Sequence, residues 1–210
     1  MPVIEGTDAG ALLGVKLQTA VPAHVTAKPV PGDSNTVAYR VAARVPINAA
    51  LAADSRIFSL YDPSFGLRLV VTRVQLRWVQ TAAVTSAVFP SLAVNLSTIT
   101  AGASDGGTAV TPRSVRPRAG AVPYRAASAS VRHGNGAALT GFTAGTTMPL
   151  MYLPIHQLQT LSTVEVNSAT LDWQPSVSAG EHPVVVNRLE ALAVAVGPTV
   201  AMGSTGASVV

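Results

Sequence analysis

The sequence predicts an all-β protein: an antiparallel β-sandwich, jelly-roll-like, with a long ordered loop or arm and extended termini. Three observations predict it. In LRLVVTRVQLRWVQT, residues 67–81, Val70, Thr72, Val74, Leu76 and Trp78 share one face, and Arg73, Gln75 and Arg77 share the other. That alternation with period two is the pattern of a half-buried antiparallel strand, whose inner face meets the core. Second, about eight or nine short runs of this kind are separated by PGDSN, YDPSFG, ASDGG, RHGNG and SAGEH, clusters of residues that favour turns. Third, helix signals are scarce, and no repeat of about 20 to 50 residues points to a propeller or solenoid.

Taken in order, EGTDAGALLGVKL (residues 5–17) predicts a short turn or helix after Asp8, which its three glycines weaken. Strands are then expected within AHVTAKPV (23–30), TVAYRVAAR (36–44), RIFSLY (56–61), residues 67–81 and SLAVNLSTI (91–99). The later ones fall in TMPLMYLPI (147–155), LSTVEVNSATLDW (161–173), HPVVV (182–186) and ALAVAV (191–196). Eight strands in two sheets is the usual jelly-roll arrangement, which makes it the preferred version of the sandwich. The expected layout is an N-terminal extended arm or short turn (1–21), one sandwich domain (22–197) with an arm-like insertion (104–146), and a C-terminal tail (198–210). The insertion fits no strand pattern well, and a loop of that length in a compact domain signals function or contact with a partner.

The composition narrows the partners. The chain is 48% hydrophobic and 11% charged, against roughly 25% charged in an average domain. A surface so poor in charge suits burial against other subunits better than life as a free monomer. The most apolar stretch, ALAVAVGPTVAM (191–202), is interrupted by Gly197 and Pro198 and falls short of the ~20 residues of a spanning helix, so no membrane partner is expected. MPVIEGTDAG lacks a basic region leading into an apolar one, so no secretory leader is expected either. Zero cysteines exclude disulfides and thiolate metal sites and are compatible with a reducing cytoplasm.

Catalytic patterns are missing: the sequence holds no phosphate-binding loop, no nucleophile elbow and no zincin motif. His24, His133, His156 and His182 lie without metal-ligand spacing, so no metal and no other cofactor is predicted. Glu165 and Asp172, in one hairpin region, could in principle be paired carboxylates for glycoside chemistry, but acids are few and nothing else suggests a sugar site. Asn95-Leu96-Ser97 matches a glycosylation sequon inside a predicted strand and is given no weight. Trp78 and Trp173 are expected as core anchors.

The candidate site is a run of cations. After Asp105 no acid occurs until Glu165, yet Arg113, Arg116, Arg118, Arg125 and Arg132 fall in the gap. The net charge is +4, and twelve of the fourteen basic residues are Arg. Arg forks carboxylates bidentately, and it is the cation favoured in interfaces. A nucleic-acid binder wants aromatic platforms among its cations or a helix for a groove. This section offers only Tyr124 and Phe142, and Pro112, Pro117, Pro123 and Pro149 oppose a helix. The five arginines are therefore read as a partner-docking arm, ahead of a solvated loop and of nucleic-acid binding.

At this point the chain resembles a group of tailed-phage virion proteins. The resemblance rests on YRVAARVPINAALAADSRIFSLYD, on the arginine-alternating strand followed by the GGTA turn, on LTGFTAGTTMPL, and on HPVVVNRLEALAVAV with its Asn187-Arg188-Leu189-Glu190 turn. It spans about residues 36–196. It implies a non-enzymatic structural role on a bacteriophage particle as a decoration or cement protein, a head fibre or a tail component. The partners would be a major capsid protein or other virion subunits, and further copies of the chain, with a trimer first among the oligomers. The place would be the capsid surface after assembly in the host cytoplasm. Two other readings stay open: a tail or fibre component that binds a host receptor, and a polysaccharide-degrading enzyme.

Overall fold

Strand β6 (Ser91–Ala101) shows how the chain builds its core: Leu92, Val94 and Leu96 point into the apolar cluster, while Ala93, Asn95 and Ser97 point to the opposite face. The structure, a computed structural model, describes residues 39–47, 50–62, 69–102, 105–114, 129–162, 166–174, 183–203 and 206–209. The chain divides into two units, Met1–Ala38 and Tyr39–Val210, and all described residues lie in the second. The expected N-terminal arm and the run 23–30 lie outside them.

The other strands are β1 (Tyr39–Arg40), β2 (Arg44–Ile47), β3 (Arg56–Tyr61), β4 (Leu69–Val71), β5 (Val74–Val79), β7 (Thr108–Val110), β8 (Arg113–Ser114), β9 (Ser130–His133), β10 (Thr143–Pro154), β11 (Ser168–Trp173), β12 (Val184–Val186), β13 (Glu190–Val196) and β14 (Gly206–Val209). One sheet runs β10-β6-β13-β3-β9-β7 and a second runs β11-β5-β14-β2, with β12-β4 and β1-β8 as two-stranded ribbons. Every pairing between these strands is antiparallel. The core lies where Phe58, Leu92, Val94, Leu192 and Val194 of the first sheet meet Val45, Ile47, Leu76 and Trp78 of the second. The protein is thus an all-β antiparallel sandwich.

Prolines mark the edges. Pro149 and Pro154 lie on β10, an edge strand, whose pairing with β6 also shifts register three times. Pro46 lies on the edge strand β2. Proline removes a ladder donor, which an edge tolerates and a central strand does not, and bulges discourage further pairing.

One expectation is corrected. Residues 67–81 are not one strand: the ladder breaks at Thr72 and Arg73, β4 pairing with β12 and β5 with β11. Leu69, Val71 and Val74 pack on the core together with Leu76 and Trp78. The step from Val71 to Val74 is one residue longer than alternation allows, so parity flips and Val70, expected inside, is 57% exposed. Arg73 and Arg77 face outward as expected. Trp78 is fully buried and Trp173 half-buried. Section 104–146, read as an arm, contributes β7, β8, β9 and the start of β10; residues 115–128 lie outside the described ones. The tail 198–210 includes β14, which pairs with β2 and β5.

Trp78→Ala is expected to cost about 3–5 kcal/mol, as large core truncations do. Val70→Ser, on the exposed side of the break, is expected to stay within about 0.5 kcal/mol of the parent. Urea unfolding of both variants checks the assignment, and equal midpoints would refute it.

A candidate docking surface and the charges around it

The cation-rich section begins at a buried acid. Asp105 is 0% exposed and accepts from Arg56 of β3, at 2.9 Å from Nη2 and 3.3 Å from Nε. The same Nη2 donates to the Phe142 carbonyl at 2.6 Å, and the guanidinium lies 4.2 Å from the centre of the Phe142 ring. The Phe142 N–H donates back to Asp105 Oδ1 at 3.4 Å. The Asp105 N–H donates to the Tyr61 hydroxyl, whose ring meets Phe142 edge to face at 5.8 Å. One ion pair therefore ties β3 to the 105–107 turn and to the segment entering β10. The turn needs its glycines: Gly107 has φ +65°, and a Cβ there would stand 2.5 Å from the His133 carbonyl oxygen.

Of the five sequence-predicted arginines, two are described, and the structure does not bring them together. Arg132 sits in β9 opposite Ser59, half-buried, and its buried Nε has no partner among the described residues. Arg113 sits in β8, exposed, directly opposite Arg40 of β1, which is also exposed. Two like charges face each other across a two-residue ribbon. Neither makes an ion pair among the described residues, where the only pairs are Arg56 with Asp105 and Arg73 with Asp172. Arg116, Arg118 and Arg125 lie outside the described residues, as do Tyr124, Glu165, His24 and His182.

No protein family, curated protein or solved structure matches this chain.

The remaining titratable candidates have ordinary structural contacts. His133 Nδ1 lies 2.9 Å from the Gly134 carbonyl oxygen, and His156 stacks on the exposed Phe89 at 4.3 Å. Among the described residues no three His, Asp or Glu side chains are grouped to hold a metal. Asp172 accepts from Arg73 at 2.9 and 2.5 Å and from Gln75 at 2.8 Å, on the exposed face of β11 and β5. The hydrogen bond from Arg73, then that from Gln75, holds its carboxyl down at about 2, so it is an anion at neutral pH. Sequence reasoning passed over Arg56 and Asp105. The one signal was that Asp105 is the last acid before a long gap.

Two measurements follow from these contacts. Asp105→Asn strands a partly buried cation and is expected to cost about 3–5 kcal/mol. A loss below about 1 kcal/mol, the size of an exposed pair, would show that the clamp does not hold the turn. For Asp172 the folded pKa lies below the unfolded one, so its contribution is present above the ordinary value of 3.8 and is lost as pH falls through about 2. Carboxyl NMR should show that low midpoint, and Arg73→Ser should move it up toward 3.8. An unmoved midpoint would show that Arg73 is not its cause.

Proposed function

We propose that the protein is a non-enzymatic virion structural protein that binds a phage capsid shell and stabilises it, docking through its exposed arginines. The observation that carries this reading is the pair Arg40 and Arg113, exposed and directly opposite in the β1-β8 ribbon. Like charges in that position disfavour the pairing, whereas carboxylates supplied by a partner would offset the repulsion and be gripped bidentately. The position in the chain adds to this, because Arg113 opens the section that carries Arg116, Arg118 and Arg125. A shell presents the same acidic patch many times, so individually modest ion pairs gain from multivalency. The low overall charge of the chain supports an assembled life, and the resemblance to tailed-phage virion proteins points the same way. The jelly-roll form of the sandwich belongs to this proposal; the return of β13 between β3 and β6 supports it, being the kind of long connection a Greek key makes.

The test is a double variant, Arg40→Ser with Arg113→Ser. Folding should change little, since both charges are exposed and removing the two facing cations relieves their repulsion. Attachment to empty particles that lack the protein should weaken, and parent attachment should loosen as added salt shortens the screening length from about 10 Å to about 3 Å. Undiminished attachment of the variant would overturn the proposal. So would a variant that keeps its particle binding but loses nucleic acid in a gel shift, with a smaller salt slope.

A further inference from the structure

We propose that the outer face of the six-stranded sheet carries a groove for a neutral glycan of one or two pyranose rings. Two cavities open on this face, of about 330 and about 230 Å³, and both are lined by Asp54, Asn95 and Thr147. They adjoin at those three residues, the first reaching Arg56 and Ala144 and the second Tyr152 and Pro198. The first, at about 330 Å³, lies at the lower end of the roughly 300–1,000 Å³ usual for small-molecule sites. The floor is Ala93, Ala193 and Ala195, whose short side chains let a ligand approach the sheet closely.

One polar atom in the groove is an acceptor without a donor among the described residues. Asn95 is only 9% exposed, lines both cavities, and its Oδ1 has no partner among the described residues. A buried carbonyl oxygen left without a donor is costly, so the groove is built to receive one. Orphan polar atoms continue along the same cross-strand row, through Ala193 to Ser59 Oγ and Arg132 Nε. Ser97 and Thr147, which line the cavity with Asn95, share a hydroxyl hydrogen bond of 3.0 Å, and the hydroxyl that accepts in it keeps an O–H to donate. Asp54 holds φ 60°, a conformation uncommon outside glycine, fixed by its N–H donating to the Val196 carbonyl at 3.1 Å. Backbone strain of this kind concentrates at ligand clamps.

Sugar hydroxyls are the donors that match this set, and a pyranose also needs an apolar platform. Tyr152, 46% exposed at the end of the groove, presents an aromatic face of that kind. Among the residues that line the cavities, the Arg56 cation is taken up by Asp105 and the exposed Asp54 carboxylate is left to repel acidic sugars and phosphates, which favours a neutral ligand there. An added peptide strand does not fit, because the cavities lie on the face of β13, β6 and β10, away from the ladder groups that pair a new strand.

Saturation-transfer NMR on the full chain, with maltose, lactose and chitobiose as neutral probes and sialyllactose as the acidic one, tests the proposal. Transfer is expected to at least one neutral disaccharide and to be weaker for sialyllactose. Tyr152→Ala, at an exposed site, should lower the affinity about tenfold. Asp54→Asn, which tolerates the same backbone conformation, should also weaken binding, and both variants should keep the parent's thermal midpoint within a few degrees. Absence of transfer to all three neutral probes would mean that water alone satisfies Asn95, and would overturn the assignment. Binding unchanged in both variants, or a preference for sialyllactose, would overturn it equally.

Discussion

The ion pair between Arg56 and Asp105 is the constraint on which the outer face of the larger sheet depends. Desolvating these charges costs free energy that the pair recovers only because each is used more than once: the guanidinium serves the carboxylate, the Phe142 carbonyl and the Phe142 ring. The result is a second, smaller apolar cluster of Tyr61, Ile99, Phe142 and Ala191, on the face opposite the main core. A sheet that would otherwise be covered on one side only is thereby covered in part on both. Beside this cover, Ala93, Asn95 and Ala195 remain at the floor of open cavities.

A chain with so few charges sorts them by task. Arg56 and Asp105 are internal and structural. Arg73, just before β5, and Asp172 of the neighbouring strand β11 form a pair in water, where solvent keeps their mutual gain small. Arg40 and Arg113 are set against each other, and neither has an acid as ion-pair partner among the described residues. Under the proposed docking role, that placement keeps repulsion in the free subunit that contact with an acidic shell would relieve. The groove makes a different use of polarity, with acceptors held close to small side chains and the nearest cation already occupied.

Much of the architecture could be read along the chain because strand periodicity is local. RIFSLY coincides with β3, ALAVAV falls within β13, and the turn-forming clusters ASDGG and RHGNG hold glycines at positive φ. Short strands were not legible: β7, β8 and β9 have three, two and four residues, too few for alternation to show, and they form because longer neighbours offer an edge. The parity slip between Val71 and Val74 was hidden for a related reason. Both halves of 67–81 alternate, and only their separate partners, β12 and β11, reveal that one residue is extra.

The sequence by itself determined the all-β class, the antiparallel habit, the scarcity of surface charge and the concentration of arginine after Asp105, since each depends on residue type and spacing alone. Tertiary structure decided which side of the sheet each residue serves. Arg56 and Asp105 are 49 residues apart, and the orphan atoms of Asn95, Ser59 and Arg132 come from three different strands. Such groups share a place only through long-range pairing, because the energy of a buried charge or an unpaired carbonyl depends on what the folded chain brings next to it.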